Sequence, residues 1–348
     1  VPDRVLDCEL ESIESSVCRW EVKVCQGESD DARGFWRAAG TRLETGLRVL
    51  FQPASSTGRA GRSTVQAMAY RRAAAAAEPL AAPWRVVFRD DFRTGFHVRP
   101  LSWRLRPAGE RLPAGDGVPT TGPDGLVVVP GHVDPDTGEP AFTPTDGPLG
   151  ELDHLRWAAF ADVADPGVAA PIEVSARMSA QGFGLERHPY GDAVADPRRE
   201  LKCGAAVLIG VDRPTGMVFD FIVTDRCVFA VYERLAFPGT DWAGFSYAVP
   251  VLEREPGDQH ELAIRHDAPA GTASWSVGGR QVLAVDAIGR RLPGPDAERF
   301  AKRDNGRPDQ DAAPAQFSFG VGVFTDQVWG QGVRLAVQHF TIRQATTG

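Results

Sequence analysis

From Trp84 to the end of the chain, short apolar runs follow one another, each closed by Gly, Pro or Asp, and no long stretch has helical period. That pattern restricts the fold more than anything else, because strands alternate with period two and amphipathic helices with period 3.6. The runs are WRVVFRDDF (84–92), GLVVVPG (125–131), IEVSARMSA (172–180), GAAVLIGV (204–211), MVFDFIVTDRCVFAVYER (217–234) and FSYAVPV (245–251). HELAIRHD (260–267), SWSVGGRQVLAVD (274–286), FSFGVGVF (317–324) and VRLAVQHFTI (333–342) complete the series. Residues 149–163 suit a short helix or another strand. Ten or more antiparallel strands with turn signals predict an all-β sandwich or jelly roll, with residues 84–345 as one domain.

The segment 217–234 can be read residue by residue. Two Val-, Ile-, Phe- and Tyr-rich runs meet at Asp225-Arg226. A two-residue loop there pairs Ile222 with Phe229, Asp220 with Val231 and Val218 with Glu233. Asp220 and Glu233 then become diagonal neighbours on one face. Phe219, Phe221, Val223, Val228 and Tyr232 take the opposite, core-facing side. Asp-Arg is not a preferred hairpin loop, and a one-residue slip would part the two acids. In SWSVGGRQVLAVD, by contrast, Gly278-Gly279 suits the positive φ of a tight turn.

Residues 1–83 lack sustained alternation and hold three of the five cysteines (Cys8, Cys18, Cys25), at spacings that fit no zinc or redox motif. They read either as a poorly ordered leader or as a coding region extended beyond a natural start at Met68. The Ala73–Ala82 stretch is too weakly apolar for a secretory signal, so a cytoplasmic location is expected. Cys203 and Cys227 lie in apolar runs and read as buried thiols. A net charge of -8 without a basic patch argues against nucleic acid as a partner. No apolar run is long enough to span a membrane as a helix.

Asp220 and Glu233 are the candidate catalytic pair. Retaining glycosidases use two carboxyls about 5–5.5 Å apart, and like charges that close raise one pKa toward general-acid range. The plainer alternative pairs each acid with an arginine, Arg177 or Arg265, on a solvated face. Candidate substrate-binding residues are His154 and Trp157 in LDHLRW, His188 and Tyr190 in HPYG, Trp242 and Tyr247. They bring proton donors and ring faces for a sugar. His260 and His266 share a face but lie too far apart along the strand for one metal. No His, Cys and carboxylate cluster has metal-ligand spacing, and no nucleophile elbow, Walker loop or dinucleotide fingerprint occurs. No cofactor is expected. The Asp- and Gly-rich stretches VDPDTGEP and DVADPGVAA lack EF-hand ligand order, yet leave room for a structural calcium ion. Residues 291–315, polar and Pro-rich, read as a long surface loop or a flap over the acid-bearing sheet.

FRDDF followed by Trp103, the 274–286 hairpin and the final strand resemble the concanavalin A-like jelly rolls, which include laminarinase-type hydrolases, lectins and laminin G-like modules. More narrowly, VVFRDDF, GEPAFT, LDHLRW, HPYGDAV, MVFDFIVTDR, FAVYERL and FSYAVPV are similar to an actinobacterial family, DUF6081. The resemblance covers 84–345 and implies a sandwich of two antiparallel sheets with a concave, ligand-bearing face. The laminarinase-type Glu-x-Asp-x-x-Glu strand is absent. Its nearest counterpart, FDFIVTD, offers Asp220 and Asp225 but no glutamates. The expected function is binding of a carbohydrate or related polyhydroxy compound, a small-molecule or glycan partner. Its rivals are a glycosidase or lyase, a natural-product tailoring enzyme, and an interaction module with no small ligand.

Overall fold

The computed structural model describes residues 18–22, 36–40, 84–98, 102–106, 115–144, 154–161 and 170–346. Contacts divide the chain into two compact units, Val1–Ala81 and Ala82–Gly348. In the first, β1 (Cys18–Val22) and β2 (Trp36–Gly40) pair antiparallel. The sequence pattern did not announce these strands. The choice of start at Met68 and the surroundings of Cys8 and Cys25 lie outside the described residues.

The second unit is a sandwich of two eight-stranded antiparallel sheets. Sheet I contains β3 (Trp84–Asp90), β5 (Val118–Gly122), β6 (Gly125–Val129), β10 (Ile172–Phe183), β15 (His260–Asp267), β16 (Thr272–Val277), β17 (Arg280–Val285) and β20 (Gly332–Ala345). Its order is β17-β16-β15-β10-β20-β6-β5, with β3 also paired to β20. Sheet II contains β4 (Trp103–Arg106), β9 (Leu155–Ala161), β11 (Ala205–Asp212), β12 (Met217–Val223), β13 (Cys227–Arg234), β14 (Phe245–Glu253), β18 (Ala301–Asp304) and β19 (Phe317–Phe324). Its order is β18-β14-β13-β12-β11-β19-β9-β4. Two short strands, β7 (His132–Val133) and β8 (Pro140–Ala141), form a separate ladder, and α1 (Pro295–Phe300) is a single short helix. The ambiguous 149–163 stretch is thus a strand, β9. The chain passes repeatedly from one sheet to the other, as a jelly roll does.

The core fills the space between the sheets, as alternation requires. Val174, Met178, Ile264 and Trp275 of sheet I meet Phe219, Phe221 and Tyr232 of sheet II, all at 1% exposure or less. Each such side chain contributes about 1.5–3 kcal/mol by leaving water. Trp275 lies edge-on to Phe219 at 5.3 Å between centroids, and its indole N–H donates to the main-chain carbonyl of Asp220 at 3.0 Å. The FRDDF opening has a local cause. Asp90 accepts the Trp103 indole N–H at 2.8 Å and the Phe92 N–H at 2.7 Å. This holds buried Phe92 at φ 59, a conformation that costs a non-glycine residue about 1 kcal/mol or more.

Gly278 (φ 57) and Gly279 (φ 77) make the tight turn between β16 and β17, as their types predicted. The region 291–315 is a surface loop over its second half, irregular and mostly exposed from residue 305 on. Its first half forms α1 and the edge strand β18, which pairs with β14, and the chain around it is fastened at several points. Tyr232 Oη donates to Arg290 O and accepts from Gly289 N, while Arg234 donates to Gly289 O and Gln310 O. Arg291 pairs with Asp304 and Asp309.

Candidate functional site

The hairpin adopts the expected register, with Ile222 opposite Phe229, Asp220 opposite Val231 and Val218 opposite Glu233. The disfavoured Asp225-Arg226 turn is held by its surroundings. Thr224 exchanges hydrogen bonds with Cys227 through both main chain and hydroxyl, and buried Asp225 accepts from Gly182 N at 2.6 Å. Asp225, the second acid of FDFIVTD, is therefore a buried turn anchor. Asp220 and Glu233 share the outer face of sheet II as diagonal neighbours.

That face is unusual. Outward side chains of an antiparallel sheet are commonly solvated. Here Val207, Ile209, Val218, Phe229, Val231 and Phe160 point away from the core, yet each is only 4–7% exposed. They form a sheltered apolar floor with the two carboxyls set into it. Leu201, from the loop before β11, packs on Cys227, Phe229 and Val231 and walls one end.

The acids are placed by main-chain details. Pairing of β11 with β12 runs from Ala206 opposite Val223 to Leu208 opposite Phe221, lapses, and resumes at Val211 opposite Val218. In the gap Gly210 N–H donates to Asp220 Oδ1 at 3.0 Å. A β-carbon on Gly210 would stand 2.9 Å from the Phe219 carbonyl oxygen, so only glycine permits this approach. Glu233 is hydrogen-bonded to Ser246, its cross-strand neighbour on β14. Arg303 follows on β18, opposite Ser246. Among the described residues neither acid forms an ion pair. Arg177 and Arg265, the arginines considered as partners, lie on sheet I, where Arg265 pairs with Asp267 at 3.3 Å. The plainer alternative therefore fails for those two residues.

Burial holds the Asp220 carboxyl well above the usual carboxylate range; the Gly210 amide partly opposes this and the charge of Glu233 adds to it. Asp220 keeps some residual surface, so its apolar neighbours rather than complete enclosure are the cause. Burial also raises Glu233, to about 7, against the lowering influence of Arg303 and Ser246. Both shifts run toward protonation and favour a proton held on the pair. The pair then presents a donor beside an acceptor, the arrangement that general acid–base chemistry and hydroxyl recognition both use.

Two of the predicted aromatic residues turn away from the acids. Trp157 is 1% exposed and packs inward against Phe96, and Tyr247 is 3% exposed and stacks with Tyr232 in the core. Trp242 lies at a sandwich edge, with Arg234 over its ring and its N–H donated to Leu235 O. His154 is exposed where β9 begins, edge-on to Phe324. His188 and Tyr190 stack on each other in the loop that leads to β11. The ring beside the acids is instead Phe229, which the sequence reading missed. The signal was present, since the register that unites Asp220 with Glu233 also puts Ile222, Phe229 and Val231 beside them.

In the VDPDTGEP loop, Asp134 accepts from Asp136 N and Thr137 N and pairs with Arg187, so its carboxylate is engaged. DVADPGVAA lies almost wholly outside the described residues. Among the described residues no group of three or more His, Cys, Asp or Glu is placed to hold a metal ion, and no helix is long and apolar enough to cross a membrane. Cys203 and Cys227 are buried free thiols, as expected.

Fold and site together define a jelly-roll β-sandwich protein whose sheltered outer face carries an acid pair. Residues 89–346 match DUF6081, described as a family of unknown function, and the chain belongs to that family. Similar solved structures include a non-specific endo-beta-1,3(4)-glucanase from family GH16, at 12% identity and TM-score 0.42, covering 77% of this chain and 95% of that one. A Bacillus licheniformis beta-glucanase is similar at 9% identity and TM-score 0.38, covering 75% and 98%. Peanut lectin with a 9mer peptide is similar at 10% identity and TM-score 0.35, covering 76% and 100%. No curated protein matches the chain.

Proposed function

We propose that the protein binds a carbohydrate or related polyhydroxy compound on the outer face of sheet II, with Asp220 and Glu233 at the centre of the site. One observation carries the reading: two carboxyls without ion-pair partners among the described residues sit in an apolar, sheltered floor where a merely structural surface would be polar and solvated. A sugar ring suits both parts, because its C–H face packs on Phe229 and the aliphatic floor while its hydroxyls meet a donor–acceptor pair. The net charge of -8 favours such a small-molecule or glycan partner over nucleic acid. The free thiols support a cytoplasmic location.

The raised acid pair favours one second reading, catalysis on the same face by a glycosidase- or lyase-like or tailoring enzyme. Asp220, the acid with a glutamate charge beside it, would then be the proton donor, and Glu233, raised to about 7, the base or nucleophile. A thermal-shift and calorimetric screen of glycans and hydrophobic metabolites on wild type, Asp220→Asn and Glu233→Gln tests both readings. Binding predicts a ligand-dependent rise in Tm that weakens at least about tenfold in concentration dependence in either variant. Catalysis adds product formation that both variants abolish. An equal thermal response in all three proteins removes the acids from the site.

A further inference from the structure

We infer that Arg303 sets specificity on the acid-bearing face, and that the ligand taken there is a sugar acid whose carboxylate pairs with the Arg303 guanidinium. The inference rests on the proposed binding face and names the class of carbohydrate that fits it. The outward positions of β11, β12 and β13 carry no basic residue. The cation next to the acids comes instead from the edge strand β18. Register fixes its place: Glu233 stands opposite Ser246, and Ser246 opposite Arg303. All three side chains therefore share the outer face, in one row that runs from the acid pair to the edge of the sheet.

The row is open to solvent. Arg303 is exposed, and Ser246 and Glu233 are half-buried. Two strand spacings put the backbones of Glu233 and Arg303 about 10 Å apart, and the short serine side chain between them does not fill that gap. The charge of Arg303 reaches Glu233 and lowers its carboxyl, yet the two form no ion pair. Among the described residues the guanidinium has no hydrogen bond or ion pair of its own. Asp304, its neighbour on β18, is already held by Arg291. Arg303 thus keeps a free fork of donors at the rim of the acid row.

A neutral sugar leaves that fork unused. A ring whose hydroxyls meet Asp220 and Glu233 can carry a substituent toward the β18 edge, above Ser246. A carboxylate in that position accepts two parallel N–H bonds from the guanidinium, the geometry that arginine's planar fork matches. The two acids do not bar a negative ligand, because burial drives both toward their neutral form. A protonated carboxyl is itself a donor to a carboxylate.

The probes are trisaccharides of galacturonic acid and of glucuronic acid, their methyl esters, and the matching neutral galactose and glucose trisaccharides. Each is titrated calorimetrically, at low and high salt, into wild type, Arg303→Gln, Arg303→Lys and Asp220→Asn. The expected result is that wild type prefers at least one acid over its methyl ester by about tenfold, and that salt shrinks the preference. Arg303→Gln removes the preference, and Arg303→Lys restores part of it, since lysine keeps the charge and loses the fork. Tm without sugar stays unchanged in both. An acid bound no better than its ester, or a preference that survives in Arg303→Gln, overturns the inference. A lower Tm of Arg303→Gln without sugar would mean that the guanidinium is bonded within the fold, and would overturn it too. Neutral sugars bound through Asp220, with no gain from the acid, remove the inference alone. Wild type that binds no probe removes it together with the carbohydrate reading of the face.

Discussion

The outer faces of the two sheets answer the same question in opposite ways. On sheet I every acid of the central strands has a basic partner: Glu173 meets Arg343 at 2.7 Å, Asp267 meets Arg265 at 3.3 Å and Glu261 meets the imidazole of His339 at 3.1 Å. The stems of Arg265 and Arg343 bring their guanidinium groups over the ring of Trp84. This is an ordinary wet surface, worth little in stability pair by pair. On sheet II the side chains of the same outward parity on β11, β12 and β13 are mostly apolar and sheltered, and among the described residues Asp220 and Glu233 have no ion pair. The fold neutralises carboxylates elsewhere, Glu253 of sheet II with Arg199 among them, but not at the Asp220–Glu233 level. Uncompensated acids of this kind cluster at functional sites.

The contrast can be broken in three ways. The largest effect should come from placing a lysine on each face. Val207→Lys, on the sheltered floor, should cost about 3–5 kcal/mol. Thr341→Lys, on the outer face of sheet I, should stay within about 0.5 kcal/mol. Urea midpoints decide it, and equal costs would mean that the floor of sheet II is as wet as sheet I.

A middle-sized effect concerns pH. Glu233 has a folded-state pKa raised from its ordinary value to about 7. The folded protein therefore holds a proton that the unfolded chain has released, and stability falls as pH rises through the window from about 4.5 to 7. Glu233→Gln escapes that loss. It should be more stable than wild type by about 2–3 kcal/mol at pH 8, allowing for partial exposure, with the gain fading toward pH 4. The matching Glu173→Gln on sheet I should lose up to about 1 kcal/mol. A Glu233→Gln protein less stable than wild type at pH 8 would refute the uncompensated acid. The smallest effect is electrostatic tuning. Arg303→Gln removes the charge that lowers Glu233 and should move the pH midpoint of ligand binding upward, by less than about one unit. A downward move would place Arg303 elsewhere in the mechanism.

The hairpin was legible because Asp220 and Glu233 are isolated polar positions in two apolar runs, and a two-residue loop sets the register that puts them on one face. Its turn was not, since Asp225 is anchored by Gly182 from a distant strand, a contact no local pattern reveals. The inward direction of Trp157 was hidden for a different reason. LRWAAFA is apolar on both faces, so period two cannot say which parity meets the core. The same holds for Tyr247 in FSYAVPV. The runs VLIGV and VFAVY carried a clue in being apolar at every position, as strands covered on both sides are, and a reading that assigned one face to water passed over it. The 291–315 segment looked like a loose flap because its ties, Arg234 to Gln310 O and β14 to β18, come from far away in sequence.

The bond from the Trp275 indole to the Asp220 carbonyl crosses the full thickness of the sandwich, from the inner side of one layer to the backbone of the other. The peptide that bears the acid is thus clamped from behind. Swapping the chemistry at position 220 leaves the clamp untouched, but repacking the opposite layer would shift the carboxyl without altering any residue that meets the ligand. Variation among relatives should therefore be freer in the groups that line the hollow than in the tryptophan that aims them.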